Sequence, residues 1–167
     1  MSKTEHAPGT SLLNRSTEWI GLAARLIVGG VWIVAGALKV TDLRSSVRAV
    51  QAYELLPNSL AEIVGVLLPL MEIGIGALLI VGLATQISAV LSSALFVAFI
   101  VGIASAWARG LQIDCGCFGG GGQLAEGEAP EYLSKILQDI GLLALSGLLV
   151  WRPVTRFSVD HILFRAK

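Results

Sequence analysis

Four runs of about twenty mainly apolar residues, the length that crosses ~30 Å of hydrocarbon as a helix, leave this chain few ways to fold. They are GLAARLIVGGVWIVAGALKV (21–40), LAEIVGVLLPLMEIGIGALLIVGL (60–83), QISAVLSSALFVAFIVGIASAWA (86–108) and YLSKILQDIGLLALSGLLVW (132–151). In lipid the backbone must satisfy its own hydrogen bonds, so each run is predicted to be a transmembrane helix. Composition agrees. Of 167 residues, 54% are hydrophobic and 14% charged, and mean hydropathy is +0.76. So short a chain has too much surface for its volume to bury that much apolar area in water. Twelve basic and twelve acidic residues balance to a net charge of zero, which gives no electrostatic footprint for nucleic acid. The expected fold class is all-α: a polytopic four-transmembrane-helix bundle whose first partner is the lipid bilayer.

The connections set the organisation. Residues 1–19 read as a polar N-terminal tail, disordered or surface-lying and without a signal-peptide pattern. Residues 20–151 form the transmembrane domain, and 152–167 a basic cytoplasmic tail. Between the first two spans, Val47, Val50, Tyr53 and Leu56 recur at helical spacing and predict a short amphipathic interfacial helix ending before Pro57. Ala84-Thr85 is a tight turn. The third connection holds DCGCFGGGG, which cannot be helix and reads as an exposed, pliable loop. Gly29-Gly30, Gly74-x-Gly76 and Gly141 lie within spans, where small residues permit close helix approach.

Four spans put both termini on one side. Lys3, Arg15, Arg152, Arg156, Arg165 and Lys167 flank that side; Lys39, Arg44, Arg48, Arg109 and Lys135 flank the other, partly offset by acids. This mild bias predicts a bacterial inner or plasma membrane protein with cytoplasmic termini and an extracytoplasmic cysteine loop.

The two cysteines of the chain, Cys115 and Cys117, share one turn. Gly116 frees the backbone to bring the sulfurs together. A disulfide across one intervening residue closes a small strained ring, which favours a labile, exchanging bond over a staple. Gly119 to Gly122 leave room for an incoming thiolate, and Asp114, Gly116, Phe118 and Gly119 form the supporting loop. Asp114 raises a neighbouring thiol pKa while Arg109 lowers it. After Phe118 the glycines make Cys117 the more accessible sulfur. A structural disulfide, a soft-metal site and incidental thiols remain open. The metal reading lacks further ligands, since His6 and His161 lie in tails on the opposite side; no metal is assigned.

Ionisable residues inside spans mark a site or an internal pair. Here they are Glu72, just after Pro69, then Asp139 in the outer half of the last span and Lys39 with Asp42 close behind at the outer end of the first. Lys39 and Asp139 differ in depth by roughly 8 Å at ~1.5 Å per residue, which their side chains can bridge. Arg25 is expected to snorkel to the inner interface. Trp19, Trp107, Tyr132 and Trp151 stand at span ends as an interfacial belt.

From 25 to 151 the chain resembles the MauE branch of the DoxX-like membrane proteins, the methylamine-utilisation type. The residues that carry the likeness are GALKVTDL (36–43), AYELLP (52–57), LPLMEIGIGALLIVGL (68–83) and above all DCGCFGGG (114–121). The resemblance implies a four-helix bundle whose cysteine pair serves disulfide formation in a partner outside the cytoplasm. Where that family often keeps an Arg-Asp pair entering the last span, this chain has Gln138-Asp139. It is also similar in outline to vitamin K epoxide reductase-like and DsbB-like enzymes, which pass electrons from a thiol protein to a quinone. Those use two cysteine pairs; this chain has one.

Three functions compete. The first is a thiol-disulfide redox protein, a thiol-disulfide oxidoreductase in enzyme terms, exchanging with an extracytoplasmic thioredoxin-fold or other thiol protein. Quinone is its candidate cofactor. The second is a non-enzymatic scaffold subunit of a larger membrane complex, its disulfide structural. The third is a small transporter or channel, with Glu72 and Asp139 lining the path.

Overall fold

A computed structural model describes residues 9–117, 119, 121–124 and 129–151, with side chains from residue 19 onward. The elements run α1 (Gly9–Thr41), α2 (Leu43–Ala52), α3 (Asn58–Val81), α4 (Thr85–Ala108), β1 (Ile113–Asp114), β2 (Gly122–Gln123) and α5 (Tyr132–Trp151). Among the described residues, four segments are long and apolar enough to span a bilayer: Trp19–Thr41, Asn58–Val81, Thr85–Ala108 and Tyr132–Trp151. They form an all-α polytopic membrane bundle. One boundary differs from expectation, because α1 is already helical from Gly9, inside the stretch read as a tail.

Close packing of α1 on α3 depends on missing side chains. A Cβ at Gly76 would lie 2.7 Å from the Gly29 carbonyl oxygen, and one at Gly36 2.7 Å from that of Pro69. Backbones meet there as small residues allow. Gly30, Gly74 and Gly141 have open space instead and contribute no such contact. At mid-bundle Trp32 stacks on Phe96 with centroids 4.5 Å apart. Its indole nitrogen donates to Ser92 Oγ (2.7 Å), which hydrogen-bonds Ser146 Oγ (2.9 Å). These bonds tie α1, α4 and α5 together where no water competes.

At the end of the bundle away from the cysteine loop, Arg25 does not snorkel. It is 1% exposed and donates to the carbonyls of Leu79 (2.7 Å) and Ile80 (3.0 Å). A cation on the last carbonyls of α3 satisfies orphan acceptors and suits the negative helix end. Gly82 then ends α3 in the left-handed conformation (φ 74°) and opens the tight turn into α4.

The docking of α2 on α3 is built around a proline. Pro69 sits inside α3 and has no N–H for the carbonyl four residues earlier, that of Gly65. Ser46 of α2 donates its hydroxyl to this orphan at 2.8 Å. Gly65 has no side chain to prevent the approach; a Cβ there would lie 2.6 Å from Val47 Cα. The predicted short helix is thus real, but its buried face is Ser45, Ser46 and Ala49. Val47, Val50 and Tyr53 are only half-buried. Asp42 directly follows the first candidate span, is exposed, and caps α2 by accepting from the Ser45 N–H at 3.0 Å.

Candidate functional site

The cysteine loop is docked on this platform. Its strands β1 and β2 pair antiparallel, Ile113 with Gln123 and Asp114 with Gly122. Ile113 is buried, and its N–H donates to the hydroxyl of buried Tyr132 (3.1 Å). Tyr132 in turn donates to the Leu111 carbonyl at 2.5 Å. Tyr132 therefore anchors the loop and is not part of the interfacial belt, whereas Trp19, Trp107 and Trp151 do face outward. Tyr53 donates to the Cys115 carbonyl at 3.0 Å, and Arg109 donates to the Tyr53 carbonyl.

The glycines also serve docking, not openness. Gly121, at φ 106°, lies where a Cβ would stand 2.5 Å from Ala49 Cβ, and a Cβ on Gly119 would meet Leu38 at 3.2 Å. The loop expected to be exposed and pliable thus packs on α1 and α2. The bare backbone of its glycines permits that approach. Phe118 lies outside the described residues, as do the histidines weighed as metal ligands, His6 and His161.

Gly116 takes the left-handed conformation (φ 67°) and folds the turn so that Cys117 N–H points at Cys115 Sγ, 3.4 Å away. Asp114 Oδ1 accepts from the Gly116 N–H at 3.3 Å. Both cysteines are free thiols and half-buried. Hydrogen bonding from Cys117 holds the Cys115 thiol below its ordinary value, against burial and the Asp114 charge. The cation acting on Cys115 is Lys135, not Arg109. The same interaction, then burial, pushes the Cys117 thiol up. Asp139 adds to that rise and Lys39 opposes it. Burial first, and then the nearby cysteines, likewise raise the Tyr53 phenol, so it stays protonated.

Below the loop Lys39 pairs with Glu72, Nζ to Oε1 2.5 Å, at 5% and 0% side-chain exposure. The pairing with Asp139 expected from depth is not made. Cα–Cβ bonds lean toward a helix's own N-terminus. In antiparallel α1 and α3 that tilts Lys39 inward and Glu72 outward, so they meet. Lys39 Nζ also stands 5.5 Å from the Phe99 ring centroid, a cation–π distance. Glu72 Oε2 and Asp139 Oδ2 are buried without hydrogen-bond partners among the described residues.

Two cavities meet at the cysteines. One, of about 380 Å³, is lined by loop and helix-start residues including Asp114, Cys115, Glu131 and Lys135. The other, about 350 Å³, lies between α2, α3 and α4 and is bordered by Lys39, Tyr53, Phe99, Cys115 and Cys117. Cys115 lines both; Cys117 lines only the second. The sequence-based preference for Cys117 as the more accessible sulfur is therefore reversed. Tyr53, Tyr132 and Ser46 are the site-building residues that sequence reasoning missed. The lone interior Pro69, with glycine four residues before it, was the available signal for the docking of α2.

Fold and site together define a multi-pass helical membrane protein with a cysteine pair held in a docked loop, between a polar pocket and an apolar cavity. The chain belongs to the family of the methylamine utilisation protein MauE, whose family model matches residues 17–152. No curated protein and no solved structure matches it.

Proposed function

We propose that this protein is a membrane thiol-disulfide redox protein whose Cys115–Cys117 pair forms disulfides in an extracytoplasmic thiol protein of thioredoxin fold or another kind. The observation that carries the reading is the asymmetric pair: adjacent sulfurs, one of them bordering an open polar pocket, with their proton affinities pushed apart. In the oxidised protein a partner thiolate attacks Cys115 Sγ. The Cys115–Cys117 bond breaks and Cys117 leaves, taking up a proton in keeping with its raised pKa, while Lys39 offsets part of the developing charge. The partner's second thiolate then attacks its own sulfur in the mixed disulfide and expels Cys115. The lower thiol pKa makes Cys115 the better leaving group. The partner gains a disulfide, and the pair holds the two electrons.

The basic residues flanking the spans favour an extracytoplasmic loop, the compartment where new disulfides persist. The exchange is reversible, so a single remaining cysteine can add to a partner disulfide and stay there. Cys117→Ser is expected to trap a reductant-sensitive adduct on non-reducing gels. Cys115→Ser should trap far less, and the double variant none. If neither single variant captures a protein and both keep full function, the redox reading is wrong.

A further inference from the structure

We infer that the apolar cavity beneath the cysteine loop is a binding site for a lipid-soluble quinone, which takes the electrons from the Cys115–Cys117 pair. This rests on the redox reading above and assigns its electron acceptor.

Three observations converge on that occupant. First, the mouth of the cavity is apolar and exposed: it includes Leu55, Leu56 and Val64, which are 54%, 40% and 37% exposed, and in a membrane-embedded bundle such an opening suits a ligand dissolved in lipid. A ligand enters from the bilayer, and water-borne disulfides or flavins are disfavoured. Second, its volume of about 350 Å³ is at the small end of ligand sites, ~300–1,000 Å³. It suits a substituted ring whose apolar tail runs out through the mouth. Third, residues able to do redox and proton chemistry line it: Cys115, Cys117 and Lys39. Behind Lys39 stands Glu72, fully buried with one oxygen unpartnered among the described residues. A dithiol gives up two electrons as it closes, and a quinone is the membrane-soluble group that accepts two electrons and two protons together. An acyl chain fills such a cavity but gives the ammonium and the sulfurs nothing to do.

The step balances. The Cys115 thiolate attacks a ring carbon; a C–S bond forms and the charge moves to a quinone oxygen, which takes a proton from Lys39. Neutral Lys39 accepts the Cys117 proton. The Cys117 thiolate attacks Cys115 Sγ, the S–S bond forms and the C–S bond breaks. Its electron pair stays on the ring, which takes one further proton from water. Thiolate, thiol, quinone and one proton become disulfide and hydroquinone.

The test uses the full chain in detergent, reduced, freed of reductant and held without oxygen, with a short-chain ubiquinone as probe. Hydroquinone is read by ultraviolet absorbance and thiols by maleimide mass-tagging. One hydroquinone for every two thiols lost is expected. Ala98→Trp and Val64→Trp, which fill the mouth from α4 and α3, should each slow the reaction at least tenfold. Leu137→Trp, on the lipid face of α5 (59% exposed), should leave the rate unchanged. Equal rates in wild type and both mouth variants overturn the cavity assignment. A pair that stays reduced in quinone while Cys117→Ser still traps a partner overturns the quinone site alone. A pair that does neither removes the redox reading with it.

Discussion

Replacing Glu72 with leucine leaves the Lys39 ammonium buried without its counter-charge. The two groups are 4% and 0% exposed and 2.5 Å apart, so neither can turn to water without moving α1 against α3. Removing one member of a buried pair typically costs ~3–5 kcal/mol. The unpartnered Oε2 of Glu72 already penalises the native pair, which puts the loss toward the lower end. Glu72→Leu should therefore lower stability by about 3 kcal/mol, roughly 140-fold in the folded-to-unfolded ratio. The double replacement Lys39→Met/Glu72→Leu exchanges the pair for apolar side chains and should return to within about 1 kcal/mol of wild type. Reversible unfolding in mixed micelles on raising the dodecyl sulfate fraction, followed by helical circular dichroism, measures all four corners of the cycle. Glu62→Leu, at an exposed position on the same helix, is the control and should shift little. A double variant as unstable as the single one would refute the reasoning, because the damage would then come from lost packing and not from a stranded charge.

Ser46→Ala should cost about 1–3 kcal/mol by leaving the Gly65 carbonyl without a partner. Pro69→Ala restores the helical N–H to that carbonyl and should relieve most of the loss, as the same micelle titration would show. In the reduced protein, the lowered Cys115 and raised Cys117 thiols predict single labelling by iodoacetamide near neutral pH. A depressed pKa keeps the Cys115 thiolate present below the pH at which an ordinary thiol ionises, so its labelling rate should persist as pH falls. Cys117→Ala, which removes the donated hydrogen bond, should move that profile to higher pH; peptide mapping by mass spectrometry checks both. Reporter fusions after Lys167 and within 123–128 should report opposite sides of the membrane, with the C-terminal one cytoplasmic.

The spans were legible because twenty apolar residues have no other stable use in so short a chain, and the cysteine pair because glycine-spaced thiols stand out in any sequence. What escaped is cooperative between elements. The Lys39–Glu72 bond joins residues 33 apart in sequence. Depth counted along each helix misses it, while the lean of side chains toward each helix's start anticipates it. Tyr132 sits at a span end, where a belt role explains it well enough that its hydrogen bonds to the loop are invisible. The glycine run was read as freedom when its contribution is contact, since a bare backbone serves both and the sequence cannot say what lies opposite. Arg25 likewise looked close enough to water to reach it; only the neighbouring end of α3 reveals a better partner.

The proline-freed carbonyl of Gly65 also dictates an order of assembly. During synthesis α2 leaves the ribosome before α3, so Ser46 has no acceptor until the second span has inserted. Until then α2 is a short polar helix with nothing to hold it at the bundle. The strand-bearing loop comes later still, and it needs both docked α2, through Ala49, and Tyr132 at the start of the last span. The thiols therefore acquire their unequal character only when the whole chain is in the membrane. On the redox reading proposed above, the cysteine pair reaches its reactive arrangement only as the fold is completed.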